Sequence, residues 1–344
     1  MISRSLLLLL LGLLSACGGS AGQPEAVKDV LPPDDQGDGD SGSQDSGAQD
    51  SGAQDSGSND QGVLPNCSGQ YGPPQSGAVP AYEKLIEASG IAPSRSRSDL
   101  LWLHNDSGDD PIIYGIGVDG RKRGKVRLGV DATDWEDIAT ARCPGGQGHC
   151  IWVGDIGDNT LTRTQVTVLA VEEPDGDGDQ SPSRIWRFPV RYPDAPHDSE
   201  ALLVAPSGDK FWLLEKIDGP EVRMFGHGGP LIHDQVTVLE EVIRFNAPGV
   251  PIDRGQMVTA ADLHPNGRQL LIRVYTGTYE YVLPRPLSMG DLGTVEPRIV
   301  AFGPLSERQG EAVSYDESGQ GIWTIAEDPL GLSVQPLHHY ACEP

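Results

Sequence analysis

One short phrase recurs down this chain: an apolar run with Trp as its second residue, at Trp102, Trp152, Trp212 and Trp323, four of only six tryptophans. The runs start at Leu101, Ile151, Phe211 and Ile322, and a fifth at Leu270 has the same form with Leu271 in place of Trp. Each has the β-branched, aromatic composition of a buried strand. Ahead of each run lies a second phrase, ending in Ile91, Ile138, Leu202, Leu263 and Val313; two positions before these stand Ser89, Glu136, Glu200, Ala261 and Glu311. The steps between those positions are 47, 64, 61 and 50 residues. A unit of this length with strand signals and no helical stripe predicts an all-β fold, a β-propeller. Five repeats predict five blades; six is the alternative, because a degenerate blade escapes a repeat count. The fifth repeat nearly stops after a strand-like stretch at 332–337, while a spare one lies near Tyr82. The ring is therefore expected to close by exchange of N- and C-terminal segments.

Residues 1–17 read as an export signal: one basic residue, Arg4, then an apolar run at 6–14, then Leu14-Ser-Ala-Cys17. That ending resembles the bacterial lipobox. The resemblance implies that Cys17 becomes the lipid-bearing first residue of an exported lipoprotein anchored to a membrane. Gly18 follows where Asp would imply inner-membrane retention, so the outer membrane or cell surface is implied. Residues 18–66 repeat Gln-Asp-Ser-Gly and are rich in Gly, Ser, Asp, Gln and Pro. Such a segment buries too little apolar area to offset its ordering entropy, and is expected to be a flexible tether. Residues 67–344 are then the propeller domain.

The chain carries a formal charge of −25. From Cys67 onward, 23 basic residues stand against 40 acidic ones, a net −17. This balance argues against nucleic acid as a partner and suits divalent cations, cationic ligands or plain solubility. With Cys17 set aside, four cysteines remain, an even number that reads as disulfides in an oxidising compartment. Cys143 and Cys150 bracket a Gly-rich loop and form the local pair, although His149 beside them leaves a zinc reading open. Cys67 and Cys342 stand at the two ends of the domain, where a bond would clasp the ring.

The repeated positions locate the candidate site. First strands line a propeller's axis, so Glu136, Glu200 and Glu311 should converge at one channel mouth. Glu87 falls on the same strand face as Ser89 by the two-residue alternation, and Asp137 follows Glu136. A second polar set ends the Trp strands: Asn105, Asp106, Asp155, Asp158, Asn159, Glu215 and Glu327. Oxygen ligands crowded in this way repel one another unless a hard cation joins them, and calcium takes such irregular cages. Glu136, Glu200, Glu311, Asn105, Asp106 and Asp155 are the expected metal ligands. The competing reading is that these acids cap turns and face water. His104, beside Asn105 and Asp106, is the candidate general base if the site is catalytic.

The phrases Ser-Gly-Ile-Ala from Ser89, His-Asn-Asp-Ser-Gly-Asp from His104 and Gly-Asp-Ile-Gly-Asp-Asn from Gly154 resemble an uncharacterised family of extracellular bacterial proteins. The chain also resembles TolB-like and phytase-like secreted propellers, which have six blades. Calcium-bearing phytase-like and lactonase-like propellers imply calcium at the mouth. Other motifs lack their context. Asp175-Gly-Asp-Gly-Asp179 has no acid at the twelfth position, and the glycines at 115–120 precede no helix. Two functions of different class follow: a surface-tethered module binding an unknown ligand or protein at the mouth, or a calcium-dependent phosphoester or lactone hydrolase using the same mouth.

Overall fold

A computed structural model describes residues 66–301, 307, 309–328 and 330–343. Cys17, the export signal and residues 18–65 of the expected tether lie outside the described residues. The described chain forms five separate sheets, one per repeat, so the count of five holds and six does not.

The first blade is Ala88–Pro93, Leu100–Asn105, Ile112–Gly117 and Lys122–Arg127. The second is Trp135–Arg142, His149–Asp155, Val166–Glu172 and Ile185–Arg191, with Thr237–Val238 added in parallel at its outer edge. Ser199–Val204, Phe211–Glu215, Glu221–Gly226 and Glu240–Asn246 make the third. Val258–Leu263, Gln269–Val274, Gly277–Val282 and Arg298–Ala301 make the fourth, with a 3-10 turn at Met289–Thr294 before its last strand. The fifth holds Gln309–Tyr315, Gly321–Glu327 and His338–Glu343, completed by Gln70–Tyr71 and Gln75–Ser76 from the other end of the chain. The expected strand exchange is present, but its residues differ. The closing pieces pair with His338–Glu343 rather than with 332–337, and Tyr82 is buried against the first blade, its hydroxyl donating to the Gly124 carbonyl at 2.8 Å.

The Trp repeat explains why the sheets form a ring. There are five buried apolar clusters, one at each blade interface, and each contains one residue from the second position of a Trp run. Trp102 packs with Trp135 and Ile138 between blades one and two, Trp152 with Phe188 and Leu213 between two and three, and Trp212 with Met224 and Ile272 between three and four. Trp323 joins Ile91 and Tyr114 between blades five and one. At the fourth interface Leu271 takes that place, in a cluster with Tyr315 and Tyr340. A buried indole removes on the order of 200 Å² from water, roughly 5 kcal/mol of transfer free energy. The innermost strands touch in ring order, the fifth meeting the first.

Both disulfides form. Cys143–Cys150 closes the local loop, and Cys67–Cys342 joins the two ends of the domain. Bonded sulfurs are not thiolate ligands, so the zinc reading of Cys143, His149 and Cys150 falls.

Candidate functional site: an acidic channel mouth

Every blade's first strand bulges at one equivalent place. The pairing slips between Ala88 and Gly90, Trp135 and Asp137, Ser199 and Ala201, Val258 and Ala260, and Gly310 and Ala312. Ser89, Glu136, Glu200, Thr259 and Glu311 are therefore left out of the ladder, and a bulge re-aims the residue it carries. In blade four this corrects the sequence alignment: the equivalent residue is Thr259, not Ala261. The hydroxyls tie blades together, Ser89 Oγ donating to the Glu136 carbonyl and Thr259 Oγ1 to the Gly310 carbonyl, each at 2.7 Å. The glutamates collect at the mouth.

Glu136 and Glu200, from adjacent blades, are in carboxylate-to-carboxylate contact. Oxygens of Glu136, Asp198 and Glu200 lie within 4.8 Å of one another, as do those of Asp106, Asp134 and Glu136. Glu136 is common to both trios. Burial, then the neighbouring carboxylates, pushes the Glu136 carboxyl well above its usual range. Burial also raises Glu200, although Lys216 Nζ donates to its Oε1 at 2.7 Å. Asp134 rises to about 6 and Glu327 to about 7, in each case through burial and then nearby acids. Glu311 accepts from the Tyr275 hydroxyl at 2.9 Å, while its other oxygen is buried without a partner among the described residues. Gly157 lies over the cluster so closely that a Cβ there would stand 2.6 Å from an Asp134 oxygen and overlap Glu136.

Of the expected metal ligands, Asp106, Glu136 and Glu200 come together in the two trios; Glu311 belongs to neither, and interacts with Lys216 and Glu200. Asn105 and Asp155 are occupied elsewhere. The Asn105 amide donates to the Lys84 carbonyl and to Asp109, each at 2.7 Å. Asp155 accepts from the Thr133 and Asp134 amides and pairs with Arg163 at 2.6 Å, which fixes the loop carrying Asp134. Asp158 accepts from the Thr162 and Arg163 amides, Glu215 from the Arg223 amide and His197, and Asn159 lies exposed in the turn. Glu87 and Glu327 border the mouth, Glu327 receiving the Gln309 amide. Asp137 lies deeper: its buried carboxylate accepts the amides of Ile138, Leu202 and Ala261, joining three blades near the axis.

His104 is fully buried, its ring edge-on to Trp135 and its Nδ1 2.7 Å from the Asn105 carbonyl oxygen. Burial lowers it to about 4. It stands inside the blade, not at the mouth. The site also contains two acids that the sequence reading passed over, Asp134 and Asp198. Both stand two residues before a bulge glutamate in the repeated phrase Asp-x-Glu, which was the signal available.

Among solved structures, the chain is similar to the β-propeller domain of Cps50 (Swd1) from Myceliophteria thermophila, at 15% identity and a TM-score of 0.35. The match covers 69% of this chain and 66% of that one, so the chain spans about two thirds of that domain's length. No family model and no curated protein matches the chain.

Proposed function

We propose that this protein is an exported, membrane-tethered binding module whose acidic mouth holds calcium or a similar hard divalent cation among Asp106, Asp134, Glu136, Asp198 and Glu200. One observation carries the reading: Glu136 and Glu200, both buried, are pressed carboxylate to carboxylate with three more acids, Asp106, Asp134 and Asp198, alongside. Two such groups cannot both be charged without a counter-ion, and Lys216 answers for one charge only. A cation with irregular oxygen coordination relieves the remainder. The burial of His104 takes the histidine base from the hydrolase reading and leaves only an acid for that role, so binding is the function we favour.

Calcium titration calorimetry of the purified domain tests the site. Saturable binding that Glu200→Gln weakens at least tenfold is expected, and absence of heat at millimolar calcium overturns the assignment. The anchor rests on Cys17 and on two disulfides suited to an oxidising compartment. Cys17→Ser is expected to release the protein from the membrane fraction; an unchanged fractionation removes the anchor.

A further inference from the structure

The channel has a second mouth, where the innermost strands end, and its chemistry is the reverse of the first. A cavity of about 670 Å³ opens there, bordered by residues of all five blades: 94–98, 140–142 with His149, Val204 and Pro206, Leu263, Pro265 and Asn266, and Glu317. That volume is in the range of small-molecule sites. In a domain of net charge −17, three arginines line it: Arg95, Arg97 and Arg142.

Among the described residues, two of these guanidiniums have no carboxylate within ion-pair distance. Arg97 pairs with Asp177 at 2.6 Å. Arg95 donates through Nε to Thr140 Oγ1 at 3.1 Å, while its buried Nη1 has no partner among the described residues. Arg142 follows Thr140 by two along one strand, hence on the same face, and its side chain makes no hydrogen bond or ion pair among the described residues. Leaving a buried charged donor unsatisfied is among the costlier arrangements in a protein, and guanidinium forks match planar or tetrahedral oxyanions.

The acids near Arg95 do not fill this role. Asp262 spends its oxygens on the Leu263 and Tyr315 amides, Glu173 on the Trp102 indole and Ser96, and Asp316 on Ser318 and His339. Burial lowers Arg95, and these acids oppose that shift without closing on the guanidinium. His149, paired across the strands with Arg142, is lowered by burial and then by Arg142, so it faces the cavity as a neutral ring able to donate. Glu317 is the one carboxylate in the lining, which disfavours a ligand charged at both ends. Ala141, Val204, Pro206, Leu263 and Pro265 supply an apolar wall.

We infer that this second mouth binds a small amphiphilic organic anion, with a single carboxylate or phosphate monoester head held by Arg95 and Arg142 and an apolar body against the Val204 and Leu263 wall. The site is independent of the cation at the acidic mouth, and its failure or success leaves that reading untouched. Benzoate and phenyl phosphate serve as probes, distinguishing the two head groups, with benzamide as the neutral isostere; binding is read by calorimetry on the intact domain. At least one anion is expected to bind tenfold or more tightly than benzamide, and Arg142→Gln to weaken it ten- to hundredfold with an unchanged melting temperature. Arg142→Lys should retain part of the affinity, since it keeps the charge and loses the fork. If neither anion outbinds benzamide, or if Arg142→Gln binds as tightly as the parent, the inference is wrong.

Discussion

Glu136 and Glu200 occupy the same bulge position in adjacent blades and meet through their carboxylates. Equivalence in the repeat and contact in space therefore coincide, and the contact makes the mouth sensitive to protons as well as to cations.

The pH dependence follows from the direction of these shifts. Carboxyls raised on folding bind protons more tightly in the folded state, so their stabilisation is complete below the ordinary Glu and Asp range and is lost as pH rises through the folded values. Chelated protein is expected to melt progressively lower from pH 5 to pH 8, the range spanned by Asp134 near 6 and Glu327 near 7. Calcium should raise the melting temperature more at pH 8 than at pH 5, because protons compete for the same oxygens. At a hundredfold excess over Kd the gain is ~2.7 kcal/mol, roughly 5–10 °C. A calcium effect that shrinks with rising pH would contradict this.

Gly157→Ala places a methyl group where Glu136 and Asp134 now stand. It is expected to abolish most of the calcium response while removing no ligand. Asp177→Asn, on an outer hairpin turn, should leave the response intact. Melting curves with and without calcium for the two variants decide the matter.

The interface tryptophans should be unequal to the leucine that replaces one of them. Trp152→Ala is expected to lose about 3–5 kcal/mol in denaturant unfolding, and Leu271→Ala less, about 2–3 kcal/mol, because the two tyrosines beside it hold part of the interface. Equal losses would show that the fourth interface is packed no differently from the others.

The two disulfides close very different loops, spanning 275 and 7 residues. By chain entropy the first is worth about 5.6 kcal/mol and the second about 2.4 kcal/mol. The Cys67→Ser, Cys342→Ser double variant should therefore unfold at markedly lower denaturant than the Cys143→Ser, Cys150→Ser one.

The ring was legible because its determinants are local and repeated: a tryptophan on every inner hairpin but one, and a long repeat with strand signals and no helical stripe. Closure was legible in kind but not in place, since Gln70–Tyr71 is two residues long and carries no pattern of its own. The site was half legible. Glu136, Glu200 and Glu311 follow from the repeat, whereas Asp134 and Asp198 enter through loops: Asp155 and Arg163 hold the first within its own blade, and the Asp158 amide reaches Asp198 only once blades two and three have met. Thr259 was hidden by an apolar residue that imitated the register, because a bulge changes spacing without changing composition. His104 was misleading for another reason: it is a near neighbour of Asp106 in sequence, but its ring is buried against Trp135 and held by the Asn105 carbonyl.

The link between Cys67 and Cys342 also sets how the domain would carry tension. A pull on the chain ahead of Cys67 enters the fifth blade at a covalent bond, and passes at once into His338–Glu343. Neither end of the ring can be peeled away alone, because loading one strand loads the other. The remaining route is shear across several inter-strand hydrogen bonds together, which resists force better than unzipping them in turn. A module tethered at that end would be a stiff bead on its line, keeping both channel mouths in shape while the line is taut.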